Sequence, residues 1–283
     1  MKYSVSSYSF SRAGIPELDL PAKAKSMGFD AIEFAEIHNG DMDKAEYAGL
    51  LRQKCDEVGI EISNYAIGAN FLYGSDGDLD AEVQRLCREV DIASILGVPT
   101  MRHDAAWDYN KDDRAGRGFD NALPRIIEGC RRVTEYAETK GIKTMIENHG
   151  QFIQEATRVE KVVTGVAHPN FGLLLDMGNF LCADDDPAKA FGRLAPFGFY
   201  VHAKDFHVKS GDEPAPQNGF FTTRAGNYLR GAIIGHGNVP VYRCLKILKN
   251  NGYDGYVSVE FEGMEDPITA IKYGLENLKF LGN

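Results

Sequence analysis

Five times along this chain a helical pattern ends on a glycine that leads directly into an apolar run: Met27-Gly28-Phe29, Val58-Gly59-Ile60, Leu96-Gly97-Val98, Lys140-Gly141-Ile142 and Asn251-Gly252-Tyr253. A glycine there can take the left-handed conformation that closes a helix, and the apolar residue beyond it begins the next strand. Such punctuation demands alternating helix and strand, the pattern of βαβ units and a parallel sheet. Read end to end, the 283 residues hold eight strand-plus-helix pairs. The strand candidates are Tyr3 to Ser7, Ala31 to Phe34, Ile60 to Tyr65, Val98 to Arg102, Lys143 to Glu147, Phe171 to Asp176, Phe199 to His202 and Tyr256 to Glu260. Between them lie helix candidates at Leu18 to Met27, Met42 to Val58, Asp80 to Leu96, Leu123 to Lys140, Thr157 to Thr164, Pro187 to Leu194, Pro240 to Asn250 and Pro267 to Phe280. No linker, low-complexity tract or short repeat divides the chain, so residues 1–283 are expected to form one domain.

A doubly wound open sheet fits the same alternation. The count of eight and the chemistry of the strand ends select a (β/α)8 TIM barrel of the α/β class instead. Four apolar runs finish on a metal-competent side chain: Glu147 in KTMIENHG, Asp176 in FGLLLDMGN, His202 in GFYVHAKD and Glu260 in YVSVEFEG. In a parallel barrel all strand C-termini open on one face, so these four residues would converge. Three carboxylates and an imidazole gathered there repel one another if left empty. One divalent cation per chain resolves that: Mn²⁺ is the first expectation, with Mg²⁺, Co²⁺ and Zn²⁺ also compatible with such a donor set. Four ligands leave one or two coordination positions free to grip substrate oxygens.

At these residues the chain resembles the xylose isomerase-like TIM-barrel family, also called sugar phosphate isomerase/epimerases, over essentially its whole length. The likeness rests on IENHG, LLLDMGN, His202-Ala203-Lys204-Asp205, the glycine turn Gly235-His236-Gly237-Asn238 and Tyr253 to Glu260. It implies that Glu147, Asp176, His202 and Glu260 hold one catalytic metal, and that Glu147 and Glu260 act as acid and base on opposite faces of the substrate. A metal chelating a carbonyl and a neighbouring hydroxyl acidifies the carbon-bound proton between them and stabilises the enediolate that follows. One carboxylate removes the proton and the other returns it. The leading expectation is therefore an isomerase or epimerase of a keto sugar, inosose or related polyol. The resemblance extends to lyases and dehydratases that eliminate water or an aglycone beside a carbonyl, and further off to DNA-repair endonucleases and non-catalytic sugar-binding barrels. The chain departs from the pattern at Asn179, where many relatives have His, and at His236, where many have an acidic residue; both bear on substrate identity.

Other side chains near the expected mouth are candidates for substrate contact. His103 ends the fourth strand. His149 and Asn148 flank Glu147, either orienting it or touching substrate. Asn179 follows the sixth strand. Lys204 could reach a substrate oxygen or pair with Asp205. Trp107, with Tyr8, Phe10 and Phe71, could wall a sugar ring. His38, His207 and His236 are further pocket candidates, and His168 lies at the opposite end. Three connections are long against a usual ~2–6 residues: Ala66 to Leu79, His103 to Ala122, and Ala203 to Val239, whose Gly and polar content suits a mobile cover. Arg224 and Arg230 in the last could hold a phosphate.

The formal charge of -10 argues against a phosphate-backbone binder, since nucleic-acid affinity depends on Lys and Arg. That leaves the endonuclease alternative poorly supported. The opening MKYSVSSYSF lacks a signal peptide's apolar core, and no run approaches the ~18 apolar residues of a membrane helix, so a cytoplasmic protein is expected. Its five widely spaced cysteines read as reduced thiols, in keeping with that compartment. A homo-oligomer is compatible with the sequence.

Overall fold

The computed structural model of the chain describes residues 1–107 and 118–282. Eight parallel strands close into a barrel: β1 (Lys2–Ser6), β2 (Ala31–Ala35), β3 (Glu61–Ile67), β4 (Thr100–His103), β5 (Lys143–Glu147), β6 (Phe171–Asp176), β7 (Gly198–Ala203) and, after three short strands outside the barrel, β11 (Tyr256–Val259). The ring runs β1-β11-β7-β6-β5-β4-β3-β2, so chain order is spatial order and the first strand meets the last. A strand covered by helices outside and by its neighbours' side chains inside reads as continuous apolar sequence. FGLLLD in β6 is buried at every position, as that rule requires.

Helices pack around the ring: α1 (Leu20–Ser26), α2 (Lys44–Val58), α3 (Leu79–Leu96), α4 (Phe119–Glu138), α5 (Ala156–Val166), the single turn α6 (Asn179–Cys182), α7 (Pro187–Leu194), α8 (Val241–Asn250) and α9 (Pro267–Gly282). Their starts are chemically marked. Asp43 accepts from the amides of Ala45 and Glu46 ahead of α2, and Asp78 from those of Asp80 and Ala81 ahead of α3. In α4, Ile126, Cys130, Val133 and Ala137 recur at helical spacing and are all buried against the barrel. This helix begins at Phe119, ahead of the expected Leu123, and accommodates Pro124 within it. All five junction glycines have positive φ, from 67° at Gly59 to 87° at Gly28.

The connection from Ala203 to Val239 differs from the expected irregular cover. It folds into a small antiparallel sheet, β8 (Asp205–Lys209), β9 (Phe221–Thr222) and β10 (Tyr228–Ala232), in the order β8-β10-β9. The buried carboxylate of Asp205 accepts from the amides of Phe206 (2.8 Å), Gly235 (2.9 Å), Gly237 (2.8 Å) and Val239 (3.0 Å). The two ends of the excursion are thereby tied to one side chain. Arg224 pairs with Glu155 at 2.9 Å and Arg230 with Glu265 at 3.5 Å. Within the other long connection, residues 108–117 lie outside the described residues. All five cysteines are free, and burial pushes their thiols up, to about 12 at Cys244. Among the described residues no helix is long and apolar enough to cross a membrane.

Candidate metal centre and cavity

β5 and β6 end on Glu147 and Asp176, His202 is the penultimate residue of β7, and Glu260 follows directly after β11. The register sets Asp176 beside His202, and His202 beside Ser258, two residues before Glu260. One donor atom from each of the four lies within 4.8 Å of the other three. His202 Nδ1 is 3.4 Å from Glu260, 3.7 Å from Glu147 and 3.8 Å from Asp176. The four residues expected to converge are thus brought together.

Two observations test whether a cation fits. Asp176 Oδ2 and His202 Nδ1 are buried and make no hydrogen bond. Buried polar atoms are ordinarily satisfied, so two acceptors without a hydrogen bond, Asp176 Oδ2 facing Lys204 Nζ at 3.4 Å, fit an ion ligated by oxygen and nitrogen. The hydrogen bonds of each ligand engage its other polar atom. Asp176 Oδ1 takes the amides of Gly178 and Asn179, both at 2.7 Å, while the Asn148 side chain pairs with the Asp176 backbone in both directions. His202 Nε2 meets the carboxylate of Glu33 at 2.8 Å. With the proton on Nε2 toward Glu33, the Nδ1 lone pair faces the cluster, the carboxylate–histidine arrangement of many metal sites.

The electrostatics are those of crowded acids. Burial pushes Asp176 up to about 7, with Lys204 opposing and Glu147 and Glu260 reinforcing. Burial acts the same way on Glu147, but Arg102 and His202 overcome it and hold the carboxyl down at about 2. Glu260 is likewise held well below the carboxylate range, against burial, by His202 and Lys204. Each glutamate therefore has its own cation. Arg102 Nη2 lies 2.7 Å from Glu147 Oε2, and Lys204 Nζ lies 2.6 Å from Glu260 Oε2.

The cluster faces a cavity of about 600 Å³ on the strand C-terminal side. His149 lines it, with Nδ1 3.0 Å from Asp104, and Trp107 packs edge-on to its ring at 5.0 Å. Tyr8 and Trp107, both about half exposed, offer aromatic surface there; Phe10 and Phe71 are instead buried in the core. Lys204 lines the cavity and is turned to Glu260 and Asp176, not to Asp205. Asn179 is placed beneath the cavity: its Nδ2 donates to Glu147 at 2.8 Å and its Oδ1 accepts from Lys204 at 3.2 Å.

His103 departs from expectation. It is fully buried between Phe71 and Phe171, its Nδ1 is 2.7 Å from the Asp104 carbonyl, and burial lowers it to about 4. The reason is strand alternation: Arg102 is in register with Met145, on Glu147's face of the sheet, so His103 turns outward to the helices. Arg102, Asp104 and Glu33 are the site residues that sequence reasoning missed. Glu33 left a signal, a charged residue inside the apolar run AIEFA. Arg102 could have been found only by fixing the register of β4. His38 reaches the rim, where it faces Glu17 at 3.6 Å, and neither His207 nor His236 lines the cavity.

Residues 21–281 match the sequence profile described as "Xylose isomerase-like TIM barrel". Among curated relatives, an inosose dehydratase of Lacticaseibacillus casei is 25% identical over 165 residues, 57% of this chain and 54% of the relative. The chain thus spans about half the length of that relative. The probable 3-DHS dehydratase AsbF of Bacillus anthracis superposes with a TM-score of 0.75 at 20% identity, covering 99% of both chains. A D-psicose 3-epimerase solved in the presence of D-fructose superposes with a TM-score of 0.76 at 18% identity, covering 100% of both. At those identities the superpositions speak for the fold.

Proposed function

We propose that this chain, which belongs to the xylose isomerase-like TIM barrel family, is a metal-dependent enzyme that removes the proton beside the ketone of a polyhydroxylated substrate and expels the neighbouring hydroxyl as water. The observation that carries the reading is the pairing of the two glutamates with different cations inside one four-ligand cluster.

A divalent ion held by Glu147, Asp176, His202 and Glu260 would supply Lewis-acid polarisation of substrate oxygens. The chain's own groups divide the remaining work. Arg102 keeps Glu147 ionised and cannot itself surrender a proton, so Glu147 is the base that takes the carbon-bound proton. Lys204 can donate, and it sits against Glu260; this pair delivers a proton to the departing hydroxyl as the C–O bond breaks. The electrons of the C–H bond become the new double bond, and the balance is closed by release of water. Arg102 and Asn179 hold Glu147 from two sides, which fixes its direction of attack.

Epimerisation is the second reading, favoured by the presence of Glu260 as a second carboxylate able to return the proton to the other face. We take elimination first because a sequence relative bears the name inosose dehydratase, the reverse of the order expected from the motifs alone. Product mass after incubation with Mn²⁺ and an inosose or D-fructose in deuterated water separates the outcomes. Loss of one water supports elimination, unchanged mass plus one deuterium supports epimerisation, and neither change in any ketone refutes both. Glu147→Gln should abolish exchange in either case.

A further inference from the structure

Of the four residues in the cluster, Glu147, Asp176 and His202 lie within their strands, whereas Glu260 stands one residue beyond β11. The parallel ladder runs out at that point. Its register with β7 ends at Val259 beside Ala203, and one further bond follows, from the Glu260 amide to the Ala203 carbonyl at 3.1 Å. A carboxylate past the ladder keeps its place only if something outside the barrel holds the segment that follows it.

The small sheet after β7 makes that contact. Gly231 in β10 is packed directly against the backbone of Glu262 and Gly263: a β-carbon on Gly231 would lie 2.7 Å from the Glu262 carbonyl and from the Gly263 amide nitrogen. A glycine inside a strand often marks such an approach by a second backbone. Its cross-strand partner in β8 is the fully buried Phe206, so the two residues share one face of the sheet. The Phe206 ring leans on the segment after β6, where a β-carbon on Gly178, two residues beyond Asp176, would lie 2.9 Å from it. One cross-strand pair therefore touches the segments that follow Asp176 and Glu260, the ligands on either side of His202 in the ring order β11-β7-β6. Asp205, beside Phe206 in the chain and opposite Ala232 in the sheet, ties this pair to the end of β7 through its four amide bonds.

Resting on the metal reading of the cluster, we propose that Gly231 and Phe206 are positioning residues for the centre: the sheet after β7 is a fixed template that sets the separation of Glu260 from Asp176, and through it the affinity for the ion.

The test is calorimetric titration of the EDTA-stripped protein with Mn²⁺, with thermal unfolding followed on the same samples. Gly231→Ala forces the Glu262–Gly263 backbone away, and Phe206→Leu withdraws the ring from Gly178 without introducing a clash. Val133→Ala, which empties a buried position in α4 away from the cavity, is the control for lost stability. Both template variants are expected to bind Mn²⁺ about tenfold more weakly, while the control unfolds at lower temperature and keeps the parent affinity within about twofold. Parent affinity in either template variant that folds overturns the inference and leaves the metal site standing, as does a loss of affinity in Val133→Ala as large as theirs. A parent protein that takes up neither Mn²⁺ nor Zn²⁺ removes the metal reading itself, and the template role with it.

Discussion

Replacing Arg102 with Met isolates what the guanidinium contributes. Arg102 and Glu147 are nearly inaccessible, at 9% and 4% side-chain exposure, and Asp104 shares the same cation. Removing one member of such a buried pair strands the other's charge and costs about 3–5 kcal/mol. The titration of Glu147 gives an independent figure. Its carboxyl is held at about 2, against ~4.3 in an unfolded chain, and two pKa units correspond to roughly 3 kcal/mol. Because the folded value is depressed, that stability is present in full above the unfolded pKa and is lost as pH falls from about 4 to about 2. In Arg102→Met the largest counterweight to burial is lost and His202 remains, so Glu147 protonates at higher pH and the variant gains where the parent loses. Thermal unfolding in EDTA should therefore show a drop of ~6–12 °C at pH 7, taking ~2–4 °C per kcal/mol for a chain of this size. The gap should shrink steadily on acidification toward pH 3. A deficit that stays constant across this range would refute the argument, because it would mark lost packing and not a stranded carboxylate.

Two further outcomes are expected. Glu33→Gln keeps the shape but removes the charge behind His202, and Mn²⁺ affinity measured by titration should fall about 10–100-fold; unchanged affinity would detach Glu33 from the metal site. Asp205→Asn loses acceptors for the four amides that tie off the excursion after β7, and the unfolding temperature should fall by roughly the equivalent of 2–3 kcal/mol. An unaltered transition would mean the small sheet holds itself.

Much of this site was legible before any coordinates. Glu147, Asp176, His202 and Glu260 each terminate an apolar run, and a strand end is a local signal that needs no knowledge of neighbours. Asn179 and Lys204 were singled out as substrate contacts, and the structure turns their polar atoms to Glu147, Asp176 and Glu260. His103 was misplaced because strand side chains alternate, and a single-residue choice of register decides between the cavity and the helix layer. The apolar content around TMRH is compatible with either.

The sequence alone determined the rhythm of the fold, since helix-closing glycines, capping aspartates and hydrophobic periods act over a few residues and are written in adjacent positions. It likewise determined which side chains crown the strands. Tertiary structure decided which cation each glutamate keeps, that Glu33 stands behind His202 from a strand 169 residues away in sequence, and that the loop after β7 is a sheet anchored on Asp205. Those outcomes depend on distances between strands that pair only after the barrel closes, and no local pattern encodes a charge balance summed across the whole ring.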